Sequence, residues 1–259
     1  MNSFTESLFD TLQQFGNNDQ SNKTKFKNAI VTLMTKMDPH FTARFMKHCP
    51  CFIKKLKNWG KQPNQDDVEK SCHIIALRGK KHSGKSYLAF QLRELVSTHI
   101  PVHEVSFADG IKELGIMIFE SYLGSKVREH FYGDKKEIPL SKNGKPVRYF
   151  MQTLGTDICR RYLGDDVWVN IWRHRIRTLD GLVLTPDLRF QNELMALQEA
   201  GADIIHVIRK GLSSSDMHVS ETQLDNSKHN ELVFINDCSK GEEDTRHRLA
   251  KMLIEPLNV

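Results

Sequence analysis

The stretch "HIIALRGKKHSGKS", residues 73–86, constrains the fold of this chain more than any other feature of its sequence. It contains the spacing G-x-x-x-x-G-K-S from Gly79 to Ser86, between an apolar run of strand type and an amphipathic run of helical period. Strand, glycine-rich loop and helix in this order form a phosphate-binding loop. The glycines let backbone N–H groups turn inward around an anion, and the helix N-terminus adds its positive dipole. The chain is therefore predicted to bind a polyphosphate.

Two residues of this loop are predicted to act on the phosphates and on a metal ion. Lys85 is placed to reach the β- and γ-phosphates, and Ser86 is placed to supply a hydroxyl to Mg²⁺. A triphosphate and Mg²⁺ are therefore the ligands expected at this loop. The other loop residues predicted to line the nucleotide site are Gly79, Lys80, His82, Ser83 and Gly84.

Composition excludes several classes of protein. Apolar residues make up 39% and charged residues 27% of the 259 residues, as in ordinary globular proteins. No apolar run approaches the roughly 20 residues of a membrane span, so no membrane partner is expected. The net charge of +5 is too weak and too dispersed to predict nucleic-acid binding. The five cysteines are scattered apart from Cys49 and Cys51, which fits a reducing compartment, and we expect a cytoplasmic protein.

The chain after residue 71 is predicted to alternate strands with helices. Such alternation indicates an α/β fold with a parallel sheet and helices on both faces. A closing helix is predicted near residues 241–254. The predicted strands cover residues 73–79, 101–109, 181–187, 202–210 and 231–237.

Residues 1–70 have a different pattern, in which aromatic and aliphatic residues recur at helical spacing in four sets. We interpret them as a helical N-terminal extension and residues 71–259 as a P-loop domain. Two alternatives remain for the extension. Its amphipathic helices either pack on their own chain or form a surface for a homodimer or a protein partner.

The end of the third predicted strand carries a second group of candidate residues. Asp187 lies at a strand's carboxyl end beside the phosphate loop, where a carboxylate can organise Mg²⁺ through its water shell. Arg189 follows two residues later and can neutralise the phosphate of a second substrate. The alternative is a surface Asp–Arg pair without function. The motif N-K-x-D, typical of GTPases, is absent.

Several blocks of the sequence resemble phage-type deoxynucleoside monophosphate kinases in their order and approximate spacing. The resemblance covers about residues 72–259, and its most specific wording is "MQ-x-LGTD" and "D-x-RF-x-NE". The blocks are "SFADGIKELG" (106–115), "RYFMQTLGTDICRRYLGDDVWVN" (148–170), "LTPDLRFQNELMALQEAGADIIHVIRK" (184–210), "MHVSE" (217–221) and "FIND" (234–237).

This resemblance implies a fold and a reaction. The fold is a P-loop kinase with a five-stranded parallel sheet in the order 2-3-1-4-5. The reaction transfers the γ-phosphate of ATP to a deoxynucleoside 5′-monophosphate, so the partner is a small-molecule substrate. If the source is viral, the compartment is the host-cell cytoplasm. An alternative function is that of a P-loop kinase for another small phosphorylated acceptor. A phosphomevalonate-type kinase, for example, shares the P-loop and the "D-x-R" strand end. A non-catalytic ATP-binding regulatory or assembly factor is the alternative from another class.

The resemblance also assigns residues to the acceptor side. Arg148 is the candidate for gripping the acceptor phosphate, and Gln152, one turn later, faces the same side and could bond the base edge. Arg160 matches the family position after "GTD", so it is preferred to Arg161. The remaining acceptor candidates are Asp109, Lys112, Thr156, Asp157, Arg189 and Glu193.

Three of these assignments have alternatives. Lys112 is either an acceptor-side cation or a solvated helix lysine. Asp157 either lies in the site or pairs with a neighbouring arginine along its helix. Glu193 either orients Arg189 or touches substrate. Two aromatic residues, Trp168 and Trp172, are predicted to belong to the core rather than to stack on a base.

Residues from about 210 to 230 are predicted to form a lid over ATP, since this stretch is rich in glycine and serine and poor in apolar residues. Arg209, at its start, is predicted to bind the nucleotide. His218 and Glu221 match the family wording, but their roles do not follow from the residues.

Overall fold

The sheet is built from five strands, all parallel. In this computed structural model, residues 2–16, 19–37, 72–141, 144–211, 224, 231–237 and 240–254 are described. The order of the strands is β2-β3-β1-β4-β5, which confirms the predicted 2-3-1-4-5 sheet. The strands are β1 (Cys72–Arg78), β2 (Val102–Glu104), β3 (Gly181–Leu188), β4 (Asp203–Arg209) and β5 (Leu232–Asn236).

Helices account for most of the remaining described residues. They are α1 (Asn2–Leu12), α2 (Lys23–Met37), α3 (Lys85–Val96), α4 (Asp109–Leu123), α5 (Val127–Phe131), α6 (Val147–Gln152), a π-helix (Thr153–Arg160), α7 (Arg161–Leu163), α8 (Val167–Ile176), α9 (Gln191–Glu199) and α10 (Glu242–Ile254). Short 3₁₀ turns occupy Gln13–Phe15, Gln20–Asn22, Gly124–Lys126 and Lys135–Glu137. No helix in the described part of the chain is both long and apolar enough to cross a membrane.

The second strand is shorter than the sequence predicted. The strand expected over residues 101–109 ends at Glu104, and one further bond joins the Val105 amide to the Leu184 carbonyl. As an edge strand, β2 has β3 as its only neighbour in the sheet. The Phe107 amide then donates to the Asp187 carboxylate instead of to a strand. The predicted length of β2 was therefore wrong, because at Phe107 the backbone amide bonds to the Asp187 side chain and not to the backbone of a neighbouring strand.

The chain divides into two compact units. Unit 1 comprises residues 1–65 and 108–171, and unit 2 comprises residues 66–107 and 172–259. Unit 2 contains the whole sheet. Its core lies between the sheet and helices α3 and α10, and includes Leu77, Leu88, Leu92, Phe234 and Leu249. Residues 74–77 of β1 are all buried, which explains why this strand reads as one continuous apolar run.

Unit 1 has a helical core of its own, to which the N-terminal helices belong. Residues of α1 and α2, among them Phe9, Phe26 and Met34, lie in the same buried cluster as Leu154 and Ile158 of the π-helix. The apolar faces of α1 and α2 are therefore buried against other residues of this chain. The described parts of residues 2–16 and 19–37 thus pack with described residues of the segment 108–171 rather than standing apart from them. The predicted boundary at residues 70 and 71, and the helices predicted between 38 and 59, lie outside the described residues and stay predictions.

Hydrogen bonds reinforce this packing inside unit 1. The Asn170 side chain donates to the Phe15 carbonyl at 2.7 Å, and the Lys145 amide donates to the Met37 carbonyl at 3.2 Å. Gly16 lies so close to α7 that a Cβ at this position would be 2.2 Å from the Leu163 carbonyl oxygen. The ends of both N-terminal helices are therefore fixed by residues distant in the sequence.

The segment 147–164 is helical but not regular. Its middle is the π-helix, which separates α6 from α7 and which the sequence did not predict. The Gly155 carbonyl accepts a bond of 2.9 Å from the Trp168 indole, and a Cβ on Gly155 would lie 2.7 Å from Ile111. π-Turns of this kind concentrate at functional sites. Here the turn carries three of the predicted acceptor residues.

Candidate active site

The phosphate loop of unit 2 connects β1 to α3 and depends on two glycines. Gly79 and Gly84 have φ angles of 144° and 100°, which other residues rarely adopt. A Cβ on Gly79 would lie 2.3 Å from the Val207 carbonyl oxygen, and one on Gly84 would lie 2.1 Å from the Asn236 amide nitrogen. Both glycines of the G-x-x-x-x-G pattern therefore lie where a side chain would collide with a residue of β4 or β5.

Neighbouring strands hold the loop in this shape. His82 also has a positive φ, 65°, although it is not glycine, and such a conformation costs roughly 1–2 kcal/mol. Arg209 at the end of β4 donates to the His82 carbonyl at 3.2 Å, and Asn236 at the end of β5 donates to the Ser83 carbonyl at 2.9 Å. These two bonds offset the strain and fix the positions of the His82 and Ser83 carbonyls.

The lysine of the loop lies across its opening. Lys85 Nζ donates to the carbonyl oxygens of Gly79 and Lys80, the second at 2.9 Å. Ser83 Oγ is buried and has no hydrogen-bond partner among the described residues. Ser86, the second residue of α3, is exposed in the first turn of the helix. The loop thus carries an ammonium and two hydroxyls in addition to its backbone amides, and this donor set suits a polyphosphate.

Asp187 lies where the sequence predicted, near the carboxyl end of β3. Its Oδ1 accepts a bond of 3.0 Å from the Phe107 amide, which orients the carboxylate. Below it, the buried Thr185 hydroxyl donates to the Val105 carbonyl at 3.0 Å and accepts a bond of 3.1 Å from the Trp172 indole. Trp172 is 1% exposed, so its predicted place in the core is confirmed, as is that of Trp168 at 2%.

Glu193 orients the backbone next to Arg189. Its Oε2 accepts bonds from the amides of Arg189 at 3.0 Å and Phe190 at 3.1 Å, at the start of α9. The side chain is only 3% exposed. Of the two alternatives, orientation of Arg189 has direct geometric support. Contact of either residue with substrate stays a prediction.

The other acceptor candidates lie in unit 1. Lys112 Nζ contacts the Asp109 carboxylate at 2.8 Å, and both side chains are largely buried. Arg148, in the first turn of α6, pairs with Glu137. Arg160 is 8% exposed and donates to the Asp165 carbonyl at 2.7 Å, which supports the turn after α7. Each cation is thus held by a defined partner.

The residues around the "GTD" block are more accessible. Gln152 ends α6, four residues after Arg148, so the two lie on one helical face. Thr156 is half-buried and Asp157 is exposed on the π-helix. The substrate-binding roles of these unit 1 residues stay predictions.

Sequence reasoning missed three side chains that organise these groups. They are Asn236, which holds the phosphate loop, Glu137, which pairs with Arg148, and Tyr132, whose ring contacts Lys112. Asn236 stood within the quoted block "FIND" and could have been found there. The predicted lid is described only at residues 210, 211 and 224, and His218 and Glu221 lie outside the described residues.

Comparison with known proteins places this chain among deoxynucleotide monophosphate kinases. A family model described as deoxynucleotide monophosphate kinase matches residues 121–242. A putative deoxynucleotide monophosphate kinase of Acanthamoeba polyphaga mimivirus is 31% identical over 181 residues, which cover 63% of this chain and 88% of the relative. Deoxynucleotide monophosphate kinases of Enterobacteria phage T4 and Escherichia phage RB69 are 33% and 31% identical over 100 residues, 37% of this chain and 41% of each relative. This chain belongs to the deoxynucleotide monophosphate kinase family.

Proposed function

We propose that this protein transfers the γ-phosphate of ATP to deoxynucleoside 5′-monophosphates. An oxygen of the acceptor phosphate attacks the γ-phosphorus, the bond to the β–γ bridging oxygen breaks, and the products are ADP and a deoxynucleoside diphosphate. The observation that carries the proposal is the fully formed phosphate loop, with Lys85 across its opening, in a member of this family. The acceptor is already an anion, so the reaction needs no general base.

The donor half of the reaction is assigned to unit 2. The loop glycines and the buried Ser83 hydroxyl leave a cradle that the phosphates of ATP fit, and Lys85 would neutralise their charge. Ser86 and Asp187 would hold Mg²⁺, since hydroxyl, carboxylate and phosphate oxygens are the ligands this ion prefers. When bound, Mg²⁺ supplies charge neutralisation at the transferring phosphoryl group. Arg209, already bonded to the loop, is the candidate for contact with the nucleotide.

The acceptor half is assigned to the cations and polar groups predicted from the family resemblance. Arg148 would bind the acceptor phosphate with two parallel hydrogen bonds. Arg189, in unit 2, is assigned separately as a cation that neutralises phosphate charge. Lys112 would assist Arg148. Gln152 and Thr156 would contact the nucleoside, and Asp157 would lie beside them. Holding two polyanions in line is itself most of the catalysis in such reactions.

A coupled assay that measures ADP release tests the proposal. The full-length protein is given Mg-ATP with each deoxynucleoside monophosphate, each ribonucleoside monophosphate, and separately phosphomevalonate. We expect turnover with at least one deoxynucleoside monophosphate. Turnover with phosphomevalonate alone would replace the proposed acceptor, and ATP binding without any acceptor-stimulated ADP release would indicate a regulatory protein instead.

Two substitutions test the division of roles. Lys85→Ala should abolish transfer, because the charge at the loop is lost. Arg148→Ala should chiefly raise the KM for the acceptor, by about 10- to 100-fold, since a charged hydrogen-bonded contact contributes roughly 1.5–3 kcal/mol. Arg161→Ala is the matched control, as this arginine is exposed on α7 and has no assigned role. An unchanged acceptor KM in Arg148→Ala would show that the acceptor site is assigned wrongly.

We also propose the host-cell cytoplasm as the place of action. The supporting observation is that the relatives come from a giant virus and two bacteriophages. The lid predicted over residues 210–230 and the division of the chain at residue 70 remain predictions.

A further inference from the structure

An aromatic contact fixes the short helix α5 against α4 in unit 1. Phe131, the last residue of α5, is fully buried and lies among Phe119 and Phe150, with ring centroids 6.2 Å from each. Gly115 on α4 makes room for it, because a Cβ there would lie 2.2 Å from the Phe131 ring. The end of α5 is thereby held one helical turn from Lys112.

The next residue, Tyr132, meets that lysine. Its ring centroid lies 4.8 Å from Lys112 Nζ and 5.3 Å from the guanidinium carbon of Arg128. Both distances are within the roughly 6 Å over which a cation is attracted to an aromatic face. Gly133 follows at once, with its amide bonded to the Glu129 carbonyl at 3.1 Å, so the backbone that carries Tyr132 is fixed.

The contacts around Lys112 define its position. The side chain is 14% exposed, its ammonium contacts Asp109 at 2.8 Å, and the Tyr132 ring lies against it. Burial and the Asp109 carboxylate raise the pKa of Tyr132 above its ordinary value, so the phenol is uncharged at neutral pH. Tyr132 itself is 44% exposed, too much for a core residue. Its ring, rather than its hydroxyl, accounts for the contact with both cations.

We propose that Tyr132 is a positioning residue for the acceptor nucleotide. Its ring lies against both Lys112 and Arg128, so that the ammonium, already paired with Asp109, and the guanidinium are ordered before the acceptor anion binds, and Arg128 becomes a second acceptor-side cation. Side chains ordered in advance lose less entropy when a ligand binds, which increases affinity. This inference rests on the proposed function, because it assumes that Lys112 serves the acceptor.

Steady-state kinetics of two variants in the full-length protein test it. Tyr132→Leu removes the aromatic face, and we expect the KM for the acceptor to rise by roughly 3- to 10-fold while the KM for ATP is unchanged. Tyr132→Phe keeps the face and should restore the wild-type acceptor KM. Phe90→Leu is the matched control. Phe90 in unit 2 has similar exposure, 42%, and a cation contact of 5.6 Å to Arg93, so its loss should leave the acceptor KM unchanged.

Three results would overturn the inference. They are a wild-type acceptor KM in Tyr132→Leu, a Tyr132→Phe variant as impaired as Tyr132→Leu, and an equal rise of both KM values. Circular dichroism of each variant confirms that it is folded, and Tyr132→Phe keeps the test valid if Tyr132→Leu does not fold. The wild-type protein separates this inference from the proposed function. Without deoxynucleoside monophosphate turnover in the wild type the function fails, whereas with it only the role of Tyr132 is at stake.

Discussion

The substitution Arg78→Met should destabilise unit 2 strongly, although Arg78 has no assigned part in the reaction. Arg78 ends β1, directly before the phosphate loop, and is 7% exposed. Its Nε lies 2.8 Å from Glu231 Oε2, and its Nη1 donates to the Leu224 carbonyl at 2.7 Å. Nη2 contacts His206 Nδ1 at 3.2 Å, so that nitrogen must act as the acceptor. One side chain therefore joins β1 to β4 and to the chain before β5.

The magnitude follows from burial. The Arg78 and Glu231 side chains are 9% and 7% exposed, and Glu231 Oε1 has no hydrogen-bond partner in the described part of the chain. Removing the guanidinium leaves a buried carboxylate uncompensated, which typically costs about 3–5 kcal/mol. For a protein of this size each kcal/mol lowers the melting temperature by about 2–4 °C. We therefore expect a loss of roughly 10 °C.

Urea and thermal unfolding followed by circular dichroism measure this effect. The matched control is Arg173→Met, which breaks an ion pair with Glu199 in the same unit. Those side chains are 48% and 63% exposed, so the loss should stay below about 1 kcal/mol. The double variant Arg78→Met/Glu231→Leu should be more stable than Arg78→Met alone, because no buried charge remains.

Two results would refute this reasoning. Equal losses in Arg78→Met and Arg173→Met would show that burial does not set the energy of these pairs. A double variant less stable than Arg78→Met would show that the uncompensated carboxylate is not the cause.

Three further predictions concern glycine positions and a cysteine. Gly16→Ala should destabilise unit 1 by about 1–3 kcal/mol in thermal unfolding, because the new Cβ would lie 2.2 Å from the Leu163 carbonyl; an unchanged melting temperature would contradict this packing. Gly84→Ala should raise the KM for ATP at least several-fold, since φ is 100° and the Cβ would meet Asn236, and wild-type ATP kinetics would be the contrary result. Burial raises the pKa of the Cys159 thiol, so iodoacetamide at pH 8 should leave it unmodified until urea unfolds the protein, as mass spectrometry would show; rapid native labelling would contradict its burial.

The local motifs of the chain could be predicted well from sequence. The phosphate loop is contiguous, and its glycines are dictated by backbone geometry within eight residues, from Gly79 to Ser86. The apolar run of β1 predicted a strand buried on both faces. The sheet order, in contrast, came from the family resemblance, since alternation of strands and helices specifies parallel pairing but not which strands are neighbours.

The candidate site was predictable in its residue types and less so in their contacts. The sequence left two alternatives for Glu193, and only the position of its carboxylate against the Arg189 amide supported one of them. Arg160 was predicted as a phosphate ligand, and its bond to the Asp165 carbonyl gives it a second role in the turn after α7. Tyr132 was not among the residues that the sequence singled out, and its contacts with Lys112 and Arg128 came only from the structure.

The sequence by itself thus determined the phosphate loop, the strand and helix types, and the family. Tertiary structure decided which distant residues meet. It placed α1 and α2 in one core with the π-helix, and it brought Arg78 to Leu224, 146 residues away. The physical reason is that backbone conformation within a motif depends on neighbours in the chain. Side-chain packing and the pairing of buried charges depend instead on the complete fold, because only that brings their partners together and excludes water around them.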